Sequence, residues 1–305
     1  MSKIDNVIKI SYDVRKICYG IMLGTLLNYT VDLLKDPNIN YEFYNPNIIE
    51  TVYEGDIPDF TVDYIKDMIY SSPHLNDDEK RLLYNEQFFS KMIPVINKSD
   101  TLKIKYLRKL KDIKINYYDK IYYDSNKIVV EGFYNPTIPN ELNVIKSSEK
   151  VESNITHEFM HLCSSDNNFM FIEEIMAEII NVEYYGAVKN NIYSLAFPKF
   201  KLLANFVGED KLWEYFFTGD KNILLNEIEP YLEENEYEYF VSSISFIERN
   251  DIYVNINKID HLIYLMYKRK YNMSYYEYID YSVNLSSFDY NIYVSNDETN
   301  KSLQR

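Results

Sequence analysis

Apolar residues recur at three- and four-residue intervals over most of the chain, and that spacing predicts a mainly helical protein. The first hundred residues read mainly as helices. The apolar run from Ile17 to Leu27 fits a buried amphipathic helix, with Gly20 and Gly24 allowing close packing. It is too short to span a bilayer and has no small-residue cleavage pattern. The clearest helix start is near Asn76, where Asn76-Asp77-Asp78-Glu79 supplies a cap and N-terminal acid. Leu82, Leu83, Phe88, Phe89, Met92 and Ile93 follow, and Pro94 is expected to end or kink that helix. From Lys103 to Lys114 basic residues are interrupted by Tyr106, Leu107, Leu110 and Ile113, which predicts an amphipathic helix with a solvated basic face.

From Lys114 to Ser147 the pattern changes. Lys127 to Phe133 is rich in β-branched residues and Glu141 to Lys146 alternates, so two strands are predicted. Asn135-Pro136 and Pro139-Asn140 mark the turn between them. A helix capped by Ser148 follows, with Val151, Ile155, Phe159 and Leu162 on one side, and Ser164 to Asn168 breaks it. The next helix runs from Phe171 to Tyr185, ahead of Gly186. Further amphipathic helices fill Asn190 to about Tyr281, punctuated by Gly208 and Gly219-Asp220. The expected fold is α+β and predominantly helical, with a small antiparallel or mixed sheet. Its expected regions are an N-terminal helical part (1–98), a core of strands and two helices (99–186), a helical C-terminal part (187–286) and a polar tail (287–305).

Charge narrows the partners. The 305 residues carry 47 Asp+Glu against 32 Lys+Arg, a formal charge of −15. Such a surface repels phosphate backbones, so nucleic acid is excluded as a partner. Two distant cysteines, Cys18 and Cys163, give no disulfide framework. With no export signal or membrane span visible, a cytoplasmic location is expected. The 32 tyrosines can reflect base composition of the genome, and no stacking platform is read from them.

Candidate chemistry lies in the histidines. Only four occur, and two stand four apart with a glutamate between, in His157-Glu158-Phe159-Met160-His161. Positions i and i+4 share one helix face, so both imidazoles can reach one metal ion. The neighbouring carboxylate can then reach a water on it, the H-E-x-x-H arrangement of zinc peptidases. Two histidines need a third protein ligand, with one position left open. Glu173, Glu174 and Glu178 on the next helix are available, and Asp166 is more remote. Twelve residues separate His161 from Glu174, enough for a chain reversal. Glu174 and Glu178 are one turn apart, so one can ligate while the other accepts the spare N–H of a ligand histidine. Cys163 reads as a small residue at the helix end, His74 as a surface loop residue, and His261 as part of a later helix. Ser164 and Asn167 stand where a metzincin has Gly and His, which excludes that group.

The stretch Phe171-Ile172-Glu173-Glu174-Ile175-Met176-Ala177-Glu178 resembles the gluzincin pattern Trp-Leu-x-Glu-Gly-x-Ala-Glu, with Ile175 in place of Gly. Together with the histidine motif, the resemblance covers residues 157 to 178. It implies a zincin-like catalytic core holding one zinc ion through His157, His161 and Glu174, with Glu178 supporting a ligand histidine. It also implies hydrolysis of a peptide or protein substrate, with Glu158 as general base. Tyr184, Tyr185, Tyr193 and His261 are candidates for stabilising the oxyanion, and strand 128–133 or 141–146 for binding an extended substrate. The competing expectations are a catalytically inactive zincin-fold binding or regulatory protein, and an acidic helical interaction protein with a chance motif.

Overall fold

Polar side chains at the breaks of the apolar pattern start the N-terminal helices. The computed structural model describes residues 57–121, 130–187, 196–245 and 252–284. The Ile17–Leu27 run, Cys18, Tyr193 and the polar tail lie outside the described residues. Helix α1 (Val62–Ser71) is capped by the Thr61 side chain. In α2 (Asp77–Leu83) the Asn76 side chain accepts from the N–H groups of Asp78 and Glu79, and Glu79 reaches back to the Asn76 N–H. This reciprocal pair satisfies donors that a helix start otherwise leaves open. Where one helix was expected from Asn76, the chain forms two. Asn85 interrupts it, its Oδ1 capping α3 (Glu86–Ile96) at Phe88 N while its Nδ2 donates to the Tyr184 carbonyl. Pro94 lies inside α3, which runs two residues further. Its missing N–H removes a single bond near the helix end.

Helix α4 (Asp100–Leu110), capped by Ser99, buries Tyr106, Leu107 and Leu110 as expected. Its basic face is not wholly solvated, however. Lys109 is 1% exposed, with Nζ 2.7 Å from the Ser164 carbonyl and 3.1 Å from Asp166 Oδ1. The pairing with Asp166 is what permits burial of this ammonium.

Three strands form a mixed sheet, β1 (Lys114–Tyr118), β2 (Gly132–Tyr134) and β3 (Glu141–Ile145), in the order β1-β3-β2. β1 runs parallel to β3 and β2 antiparallel to it. β1 belongs to a segment whose sequence showed a change of character but no separate strand. β3 lies between its neighbours with Leu142, Asn143, Val144 and Ile145 all buried. Segment 141–146 therefore offers no free edge to an extended substrate, which removes one of the two strand candidates.

Helices α5 (Val151–Cys163) and α6 (Met170–Tyr185) follow the sheet. The remainder is helical: α7 (Phe197–Val207), α8 (Glu209–Thr218), α9 (Lys221–Ile228), α10 (Glu234–Ser245), α11 (Ile252–Tyr271) and α12 over 275–284. Gly208 and Gly219 break the helices where the sequence places them. One hydrophobic core runs from Phe60 through Phe159 and Phe217 to Tyr278. The fold is thus predominantly helical α+β. Among the described residues no helix is long and apolar enough to cross a membrane.

Candidate metal centre

α5 and α6 are joined by a six-residue turn, and the rest of the fold fixes that turn. The Tyr106 hydroxyl lies 2.8 Å from the carbonyls of both Cys163 and Phe217. Ser165 N–H donates to the Phe216 carbonyl at 2.8 Å, and Asn168 Nδ2 donates to the same oxygen at 2.9 Å. The turn therefore satisfies carbonyls at the end of α8 that have no partner within their own helix. Gly219 sits at φ +72°, and a Cβ there would fall within 2.2 Å of Ser165 Oγ, so both its conformation and the contact require glycine. Between the helices, the Thr156 hydroxyl hydrogen-bonds Asn181, whose Nδ2 donates to the Ser153 carbonyl. These buried polar contacts set the register of α5 against α6.

α5 begins at Val151 without a side-chain cap. Ser148, expected in that role, instead accepts the Lys150 N–H on its hydroxyl at 3.2 Å and the Val151 N–H on its carbonyl at 3.3 Å. It makes the turn before the helix.

With this register, three donors converge. His157 Nε2 and His161 Nε2 are 3.1 Å apart. Glu174 places Oε2 3.5 Å from the first and Oε1 3.4 Å from the second. Ligands around a tetrahedral ion with bonds of about 2.0–2.1 Å, the zinc values, are spaced about 3.3–3.4 Å apart. The Nε2–Nε2 spacing is slightly shorter than that figure, and each Glu174 oxygen lies near it from one of the two nitrogens. His157, His161 and Glu174 could hold a metal ion.

The other ring nitrogens set which way the imidazoles face. Glu178 Oε2 is 3.1 Å from His157 Nδ1, and Glu173 Oε1 is 3.2 Å from His161 Nδ1. Each Nδ1 donates to its carboxylate, so a neutral imidazole presents a lone pair at Nε2. Two lone pairs and a carboxylate then face one another, an arrangement that repels unless a proton or a metal ion lies between them. Burial alone would lower the His157 pKa, but hydrogen bonding to Glu174 and Glu178 holds it well above its ordinary value. Burial alone would raise the Glu174 carboxyl, and the two imidazoles reverse that and hold it below the ordinary range. Both shifts favour positive charge at the rings beside Glu174.

Glu158 is 8% exposed, beside the donors and beneath β2. Burial holds its carboxyl above the ordinary value, against the two imidazoles and a hydrogen bond from the Tyr134 N–H. Glu173, one of the three glutamates open as a third ligand, serves His161 and also receives the Ser164 hydroxyl. Asp166 pairs with Lys109, away from the histidines. Cys163 is fully buried in the core, where burial raises its thiol pKa.

The remaining candidates are dispersed. His74 is exposed. His261 is exposed in a cleft of about 730 Å³ between α10 and α11, lined also by Glu236, Tyr239 and Lys258. Tyr185 donates its hydroxyl to the Leu83 carbonyl, and the Tyr184 ring packs on Phe88 and Trp213. These contacts engage neither tyrosine with the donors, whereas Glu173, Thr156, Asn181 and Lys109 build the site without having been singled out for those parts. A carboxylate directly before Glu174 was the available sign for Glu173. The other three left none. Comparison of the chain with protein-family models, with curated proteins and with solved structures finds no match.

Proposed function

We propose that the protein is a zinc-dependent peptidase of the gluzincin type, with a zincin-like core built on α5 and α6. The observation that carries this reading is the convergence of His157, His161 and Glu174 beside a separate, unliganded carboxylate, Glu158. A metal held only for structure has no use for that fourth acid. His157, His161 and Glu174 would hold the ion, and Glu178 and Glu173 fix the rings through Nδ1. When bound, zinc supplies Lewis-acid chemistry, acidifying a water and polarising a carbonyl.

Glu158 takes a proton from the attacking water at a carboxylate oxygen. The water oxygen bonds to the amide carbon, the C–N bond breaks, and Glu158 returns its proton to the departing nitrogen. The products are a carboxylate and an amine, with no covalent enzyme intermediate. The low exposure of the site excludes bulk water from competing with these transfers.

The test compares parent and Glu158→Gln for zinc content and for cleavage of a peptide library. Retained zinc with lost hydrolysis is expected. Zinc in both with hydrolysis in neither would support the inactive, metal-binding alternative. Absence of zinc from both would reject the metal centre.

A further inference from the structure

Glu158 owes its position to a residue on the neighbouring strand. In the antiparallel pair of β2 and β3, Gly132 stands opposite Val144, and Ile145 N–H donates to the Glu131 carbonyl at 2.9 Å. Alternation of the ladder then turns the N–H and C=O of Gly132 and Tyr134 away from β3. The Tyr134 N–H uses that direction to donate to the Glu158 carboxylate. Gly132 lies two residues earlier on the same edge. A Cβ built there would stand 2.9 Å from Glu158 Cγ, 2.9 Å from Glu158 Oε1 and 3.2 Å from the Asn143 carbonyl oxygen. The backbone gives no other reason for glycine, because Gly132 is not among the residues with positive φ. Space alone requires it.

We infer that Gly132 is a positioning residue for Glu158, the hydrogen in place of its side chain leaving the space that the carboxylate occupies. A methyl group there meets two neighbours of unequal stiffness. The Asn143 carbonyl belongs to the central strand, whereas the Glu158 side chain turns about its own torsions. Glu158 is therefore the group that moves, leaving the Tyr134 N–H. The donors His157, His161 and Glu174 approach from α5 and α6 and supply none of the three atoms nearest the added methyl. One substitution should thus separate placement of the acid from metal binding. A displacement of about 1 Å at a reacting group costs about a hundredfold in rate.

This inference rests on the hydrolytic role proposed for Glu158, and its test has a reading independent of hydrolysis. Gly132→Ala is prepared with zinc, its zinc content measured, its crystal structure determined, and kcat and KM compared with the parent. The expected result is parental zinc content, a Glu158 carboxylate displaced from Tyr134 N, kcat lower by about a hundredfold and KM within about twofold. A loss of zinc, or an unmoved carboxylate with unchanged kcat, would overturn it. If Gly132→Ala does not fold, the double variant Gly132→Ala/Glu158→Ala decides: recovery of folded protein supports the steric relation, and continued failure rejects it. Should no form of the protein hydrolyse peptides, the peptidase reading fails while the crystal structure still decides where the carboxylate goes.

Discussion

Glu173 holds its carboxylate 3.2 Å from His161 Nδ1, on the side of the ring opposite the converging donors. Glu178 stands in the same relation to His157, at 3.1 Å. Both histidines of the pair thus have a buried acid that fixes the tautomer and turns Nε2 inward. Glu173 is itself held by the Ser164 hydroxyl, so orientation of the second histidine reaches back into the turn between α5 and α6.

Neutralising either acid should loosen the metal without abolishing its binding. Glu173→Gln and Glu178→Gln keep an oxygen that can accept from Nδ1 but remove the charge. Each is expected to weaken zinc binding by about 10–100-fold, the usual effect of losing a carboxylate behind a ligand histidine. Titration against a chromophoric chelator measures this directly. Affinity equal to the parent's in both variants would show that the carboxylates only fill space.

Removing Glu174 should act differently. It supplies the only oxygen in the converging donor group, and Glu174→Ala leaves two imidazoles. Zinc content after dialysis should fall from about one ion per chain to a small fraction of that, since two imidazoles alone fall short of the three protein ligands such sites use. Elemental analysis of parent and variant gives the answer. Full retention of zinc would require another ligand and would displace Glu174 from the site.

Histidine scarcity and helix periodicity made much of this site legible in the sequence. The i,i+4 histidines share a helix face, and the twelve residues between His161 and Glu174 leave room for a helix with glutamates at 173, 174 and 178 to fold back beside them. Periodicity could not say which acid faced which nitrogen. That depends on the rotation of α6 about its axis, set by Thr156, Asn181 and Ser153, residues with no distinguishing pattern. The break at Asn85 was hidden for a related reason. Asn85 caps α3 through Oδ1 while its amide is held by the Tyr184 carbonyl, ninety-nine residues on. Strand β1 has a short alternation, and it becomes a strand through parallel pairing with β3 across twenty-seven positions. Such long-range pairing leaves little trace in a local window.

Away from the site, the link between α10 and α11 should depend on pH. Hydrogen bonding to Arg269 is the main cause holding Glu236 below the ordinary carboxylate range. A depressed folded-state pKa stabilises the fold above the unfolded value of about 4.3. That contribution is lost as pH falls through the lower folded value. The pair is partly exposed, with side chains 19% and 31% accessible, so screening limits it to about 0.5–1 kcal/mol. Glu236→Gln should therefore lower the thermal midpoint near neutral pH, and the difference from the parent should shrink in acid below about pH 4. A difference that grew in acid would contradict the sign.

Lys109 tests how far α5 and α6 depend on α4. Its ammonium is buried, 2.7 Å from the Ser164 carbonyl and 3.1 Å from Asp166, with the Tyr134 ring 5.3 Å away. Lys109→Met keeps the aliphatic stem and removes the charge, leaving the Ser164 carbonyl without its donor. Breaking a fully buried pair costs about 3–5 kcal/mol. Asp166 is 31% accessible and can rehydrate, so the lower range for a charged hydrogen bond, about 1.5–3 kcal/mol, is expected. Urea unfolding of the metal-free protein measures it. Adding Asp166→Asn should cost less in the Lys109→Met background than in the parent, because the charge it removes has already lost its partner. Zinc affinity should fall as well, since Ser164 is the residue that holds Glu173 against His161. Unchanged affinity with a full stability loss would confine Lys109 to the scaffold and separate the turn from the metal centre.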